Sequence, residues 1–225
     1  GQLSGRDGVL YEFDYEHRLV DIGVGATTFT YDGAGNRLRA IRSGVETRYI
    51  YDAWGNLLAE ANSSNTITRY YIHGLGLLAM VTPAGQTYTY HYNAIGNTIA
   101  ITDQGQNMVN KYVYTPFGRL ANEEEAFTQP FKFVGRHGIM SEPDGLHYMR
   151  ARYYDAETGR FISEDPIGFA GGDLNLYAYV QNNPVMFIDP SGTNPALLYY
   201  FINTPIGQWF MRTVIFNASP GDGRL

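Results

Sequence analysis

The stretches "FTYDGAGNRLRAI" (29–41) and "YIYDAWGNLLAEA" (49–61) are one phrase written twice. Aligned on glycine, Tyr31 falls over Tyr51, Asp32 over Asp52, Gly35 over Gly55 and Asn36 over Asn56, a period of 20 residues. Looser copies, "YYIHGLGLLA", "YHYNAIGNTIA" and "YVYTPFGRLA", carry their glycines at Gly76, Gly96 and Gly118, with His73 over the Asp position. An incomplete first copy, "YEFDYEHRLVDI", lacks the glycine. Self-similarity at this spacing is the mark of a stacked architecture, in which each unit buries its apolar face only against its neighbours.

Within a unit, alternating residues such as Thr47-Arg48-Tyr49-Ile50-Tyr51 run into Asp or Asn, a small residue and Gly, and resume at Leu. This is the pattern of strand, tight turn and strand. Asp and Asn bond the backbone two residues on, and Gly accepts positive φ, so D-x-x-G-N is turn chemistry. The reading places Gly35, Gly55, Gly76, Gly96 and Gly118 in equivalent turns. Nineteen tyrosines and 26 glycines suit half-buried pleated strands and turns, and 17% charged residues is too few for a coiled coil. A net charge of −6, with no Lys/Arg cluster, excludes a broad basic face for nucleic acid. Without cysteine there is no disulfide, thiol nucleophile or thiolate metal site, and the five histidines form no metal-ligand spacing, so no metal or cofactor is expected.

The phrase stops near residue 120. Expected units are repeats over 1–120, a connecting segment over 121–144 holding a solvated Glu123–Glu125 run, a block over 145–193, and a tail over 194–225. "FKFVGRHG" (131–138) reads as one more degenerate strand. In the tail, "ALLYYFINTPIGQWFMRTVIF" is apolar but broken by Asn203, Pro205, Gln208 and Arg212, which argues against a membrane span. A short helix is expected over 195–202, with Asn194 as cap and Pro195 at its first position. The N-terminal residues show no signal peptide.

The block from 145 holds R-x-R-Y-Y-D (150–155), G-R-F (159–161), D-P-I-G (165–168), N-x-Y-x-Y (175–179) and P-x-x-x-x-D-P-x-G (184–192). In this order the motifs resemble the RHS-associated core domain, and the upstream copies resemble the YD repeats of the RHS and teneurin families. The resemblance implies an all-β spiral that forms part of a hollow shell, with the core block as a plug and a short helical tail. It also implies an enclosed C-terminal toxin, with an immunity protein or secretion apparatus as further partners and delivery to a target cell. In RHS effectors and toxin-complex C components the block is similar to an aspartic protease acting once on its own chain. The matching positions are Asp165, Asp189 and Arg152, with Arg160 as second choice for the arginine. The cut follows the residue after D-P-x-G, between Thr193 and Asn194. Thr193 stands where the family usually has leucine.

Read from the residues alone, two nearby carboxylates suit acid and base roles, since they do not ionise together easily. Asp before Pro with Gly three residues on is equally a plain turn. Two further readings stand beside the self-cleaving shell: an adhesion or carbohydrate-binding repeat surface, and an RHS tail that keeps the fold without cleavage.

Overall fold

The computed structural model describes residues 1–142 and 144–193. Thirteen antiparallel strands follow one another in a single meandering sheet. They are β1 (Gly5–Arg6), β2 (Val9–Phe13), β3 (Leu19–Ile22), β4 (Thr27–Tyr31), β5 (Arg37–Arg42), β6 (Val45–Tyr51), β7 (Leu57–Ala61), β8 (Ile67–Gly74), β9 (Gly76–Val81), β10 (Thr87–Tyr92), β11 (Thr98–Thr102), β12 (Met108–Tyr114) and β13 (Leu120–Glu125). A second sheet of four strands follows: β14 (Met140–Ser141), β15 (Leu146–Met149), β16 (Arg152–Asp155) and β17 (Arg160–Phe161). The all-β architecture expected from the repeat is the one observed. The tail helix expected over 195–202 and the apolar stretch 196–216 lie outside the described residues. Among the described residues, no helix is long and apolar enough to cross a membrane.

The repeated tyrosine has a repeated task. The hydroxyl of Tyr31 donates to the Leu19 carbonyl, that of Tyr51 to Arg37, that of Tyr92 to Leu77 and that of Tyr114 to Thr98, over 2.5 to 3.0 Å. Each ring therefore stitches its strand to the hairpin before it, meeting the need of a half-buried hydroxyl for a partner. His73 does the same job, with Nε2 at 2.7 Å from the Leu57 carbonyl. This corrects the sequence alignment, because His73 holds the tyrosine position and not the aspartate position. The hairpin there is shorter: His73 pairs with Leu77, whereas Tyr51 pairs with Leu57. Gly76 consequently opens strand β9 and does not sit in the turn shared by Gly35, Gly55, Gly96 and Gly118. In those four turns the glycine N–H donates to the carbonyl three residues before it, that of the residue directly after the tyrosine: Gly35 to Asp32, Gly55 to Asp52, Gly96 to Asn93 and Gly118 to Thr115. The Asp32 and Asp52 carboxylates each accept two further backbone N–H bonds within the turn.

This row of turns is the seat of the second part of the molecule. Gly118 is required there on two counts: its φ is +90°, and a Cβ would lie 2.7 Å from the Phe133 ring. Segment 131–138 runs along the turns, with Phe131, Phe133 and Val134 fully buried. It is not the strand expected from "FKFVGRHG": Val134 has φ +50° and a 3-10 turn spans Gly135–His137. Its hydrogen bonds go to turn ends instead, the Thr98 N–H to the Lys132 carbonyl and the Arg136 N–H to the Gly96 carbonyl. The "connecting segment" also starts late, since β13 extends the large sheet through Glu125. Lys132 Nζ lies 2.7 Å from Glu123 and 3.1 Å from Glu125, which is how a run of acids sits in a strand rather than a solvated loop.

One apolar cluster spans both sheets, joining Tyr11, Phe29, Tyr49, Tyr71 and Ile101 of the repeats to Phe131, Met140, Leu146, Tyr148 and Tyr153. The N-terminal residues close the arrangement. Leu3 donates to the Ile162 carbonyl, and Arg6 pairs with the buried Asp155 at 2.5 Å. The first residues of the chain are thereby fixed to β16 and to the residues after β17, and Arg152 opens β16.

Candidate active site in the core block

Arg152 is 4% exposed on a strand whose four residues are all buried. Every nitrogen of its guanidinium is committed. Nε donates to the Gly192 carbonyl, Nη1 to the Leu176 carbonyl at 2.9 Å, and Nη2 lies 2.9 Å from Asp165 Oδ2 and 3.5 Å from Asp189 Oδ2. The guanidinium carbon lies 3.5 Å from the centre of the Phe161 ring. Burial pulls the Arg152 pKa below its ordinary value, and the attraction of Asp165 and Asp189 offsets only part of this. Arg160, the second choice, is exposed on β17.

Both aspartates arrive through Asp-Pro turns, and each divides its two oxygens between tasks. Asp165 Oδ1 accepts the Ile167 N–H at 3.0 Å, while its main-chain carbonyl accepts Gly168. Asp189 Oδ1 accepts Ser191 Oγ at 2.9 Å, the Gly192 N–H at 2.9 Å and the Thr193 N–H at 3.2 Å. In both residues Oδ1 builds the turn and Oδ2 faces Arg152. The turn reading and the carboxylate-pair reading thus describe different atoms of the same side chains. The Asp165 side chain is 8% exposed and the Asp189 side chain 2%.

The structure brings together Arg152, Asp165, Asp189 and Thr193. Asn194 lies outside the described residues. Gly192 carries φ +71° and comes so close to β15 that a Cβ would lie 2.3 Å from the Met149 carbonyl, so the last position of D-P-x-G allows no side chain. One wall of the cleft is strained. Val180, Gln181 and Asn182 have φ of +44°, +54° and +57°, three consecutive left-handed residues without a glycine. Such residues cost about 1–2 kcal/mol each and persist where the surroundings over-determine them.

Sequence reasoning did not single out Phe161, the Leu176 carbonyl or Gly171 as parts of this site. Phe161 and Leu176 fall inside or beside motifs that were visible, G-R-F and N-x-Y-x-Y, but nothing in their spacing says that they meet Arg152. Among the described residues, no group of three or more His, Asp or Glu side chains is placed to hold a metal ion.

A family model described as the teneurin YD-shell matches residues 3–185. The toxin protein Tse5 of Pseudomonas aeruginosa is 44% identical over 73 residues, which is 32% of this chain and 5% of that protein. Toxin subunit YenC1 of Yersinia entomophaga is 33% identical over 93 residues, 39% of this chain and 9% of that one. Among solved structures, a chain of the Photorhabdus luminescens Tc holotoxin pore superposes with a TM-score of 0.69 at 22% identity, over 88% of this chain and 10% of its own. The fold is therefore shared, and this chain spans only a small part of the length of these relatives.

Proposed function

The chain belongs to the teneurin YD-shell family, and from that premise we propose that it closes one end of a toxin-enclosing YD shell and cuts itself once, between Thr193 and Asn194. Asp165 and Asp189 are the reacting carboxyl groups and Arg152 sets their geometry. One observation carries the reading: a single buried guanidinium nitrogen touches both carboxylates, and one of these accepts the amide of Thr193 itself.

Two carboxyl groups gathered at one guanidinium suit complementary roles in this reading, one carrying a proton and the other the charge. In the cut, a water oxygen bonds to the Thr193 carbonyl carbon and passes a proton to one carboxylate. The carbon–nitrogen bond to Asn194 then breaks as the other carboxyl gives its proton to the departing nitrogen. Asp189, whose Oδ1 accepts three donors, is the member best held as an anion. The scissile bond is tethered, so a weak catalyst suffices and one turnover is all the geometry permits. Thr193 is β-branched and stiffer than leucine, which slows the cut.

The partners in this reading are the remainder of the shell, joined through the sheet, and the C-terminal toxin enclosed by it. An immunity protein or secretion apparatus would act on the whole assembly, which is delivered to a target cell. The adhesion reading draws no support from the recurring tyrosines Tyr31, Tyr51, Tyr92 and Tyr114, whose hydroxyls are engaged by main-chain carbonyls of the preceding hairpin. The test is the intact mass of the purified chain beside Asp165→Asn and Asp189→Asn. The parent is expected to yield a fragment ending at Thr193, and each variant to stay whole. Cleavage persisting in both variants rejects the pair, and an uncut parent leaves the shell role without the protease.

A further inference from the structure

Hydrolysis at Thr193 needs room for one water beside the carboxylates, and we infer that Gly171 is the positioning residue that keeps this room open. The inference rests on the cleavage reading above and adds to it the residue that admits the nucleophile. A cavity of about 20 Å³ is lined by Arg152, Asp165, Gly171, Leu176, Gln181 and Asp189, among others. A water needs on the order of 10–15 Å³ on this measure and at least two polar partners, so the cavity takes one water and no more.

Gly171 stands at the point where this space meets the scissile carbonyl. A Cβ built on it would lie 2.7 Å from Asp165 Oδ2, 3.4 Å from Asp165 Cγ and 3.2 Å from the Thr193 carbonyl oxygen. Neither neighbour yields readily, since Asp165 Oδ2 is held by Arg152 at 2.9 Å and the Thr193 oxygen is main chain. The carboxylate and the carbonyl of the bond to be cut therefore face one another across a gap that any side chain here would fill.

The backbone does not ask for glycine at this position. Gly171 ends the 3-10 turn Gly168–Gly171 and is not among the residues with positive φ. Its neighbour Gly172 is the reverse case: φ is +85° and a Cβ would meet nothing within 4 Å. The adjacent glycines answer separate demands, space at 171 and backbone conformation at 172. In chemical terms, a methyl at 171 displaces the water whose oxygen must bond to the Thr193 carbon, and it strips solvent from Asp165 Oδ2. Loss of solvent disfavours the charged form of a carboxyl, so the pH dependence of the cleavage rate moves upward in this variant.

The experiment follows cleavage by intact mass across the acid-to-neutral range in the parent, Gly171→Ala, Gly172→Ala and Asp165→Asn. Gly171→Ala is expected to keep the parent's circular dichroism, to cut about 100-fold more slowly, and to shift the pH of half-maximal rate upward. Gly172→Ala is expected to cut like the parent despite lower thermal stability, which separates space from backbone strain. Gly171→Ala cutting at the parent's rate with an unmoved pH profile overturns the inference while leaving the carboxylate pair standing. An uncut parent, or a cut that persists in Asp165→Asn, overturns the cleavage reading and this inference with it.

Discussion

Arg37 has no exposed surface, and its guanidinium carbon lies 5.0 Å from the centre of the Phe29 ring, 4.9 Å from Tyr49 and 4.7 Å from Tyr148. It donates to Glu142, which is 6% exposed and also receives Arg42. Burial alone would raise the Glu142 pKa, but the two arginines outweigh it and hold the carboxyl below its ordinary range. A charge desolvated to this degree is stable only while its partners remain. Arg37→Ala leaves Glu142 with the single half-exposed Arg42 and opens a cavity among three rings, so we expect a loss of about 3–5 kcal/mol. Urea unfolding of the variant checks this. Adding Glu142→Gln should recover part of the loss, whereas a cost under about 1 kcal/mol would mean that the pair does not bind the two sheets.

At the scale of elements, the strand-turn unit shows how local chemistry and distant contacts divide the work. The turns at Asp32 and Asp52 close through their own side chains, so they were legible from spacing. The hairpin at His73–Leu77 was not, because its function as a tyrosine substitute depends on reaching the Leu57 carbonyl in the previous unit. Strand β13 is the last of the large sheet, and an unpaired edge invites another strand unless charge guards it. Glu124 pairs across from Lys111, while Glu123 and Glu125 engage Lys132. Replacing Glu123, Glu124 and Glu125 with threonine should keep the strand, given its β-propensity, but remove the guard. Sedimentation should then show the purified chain self-associating, and a monomeric triple variant would place the protection elsewhere.

For the whole molecule, the joint between the sheets is also where acid acts. Burial lowers the His147 pKa from 6.5 to about 4, with Glu142 and Asp155 offsetting only part of it. His137 is likewise lowered to about 4, by burial first and then by Arg136 and Arg150. Below pH 6.5 the unfolded chain binds protons that the folded chain refuses, so stability falls as pH drops from about 6.5 toward 4. The His147 share is on the order of 2–3 kcal/mol across that window. Glu142 acts in the same direction: its depressed pKa adds stability above the ordinary carboxyl range, which is lost as pH falls through the folded value. Thermal melts at descending pH should show this decline, and His147→Phe should flatten it. An unchanged slope in that variant would move the titrating group elsewhere.

The repeat period, the turn chemistry and the order of motifs in the core block are written in the sequence, because each depends on residues within a few positions of one another. From them the all-β stack was expected, together with five equivalent turns of which four are observed, and the resemblance carried by the core motifs pointed to Arg152, Asp165 and Asp189. Only the tertiary structure decided what those features meet. Segment 131–138 lies along the turns because Phe133 packs on Gly118 and Thr98 bonds Lys132, contacts that no spacing encodes. Gly171 and Gly172 look alike as two letters in a row. Their difference exists only where Asp165 and the sequence-distant Thr193 close on the first and leave the second in open space.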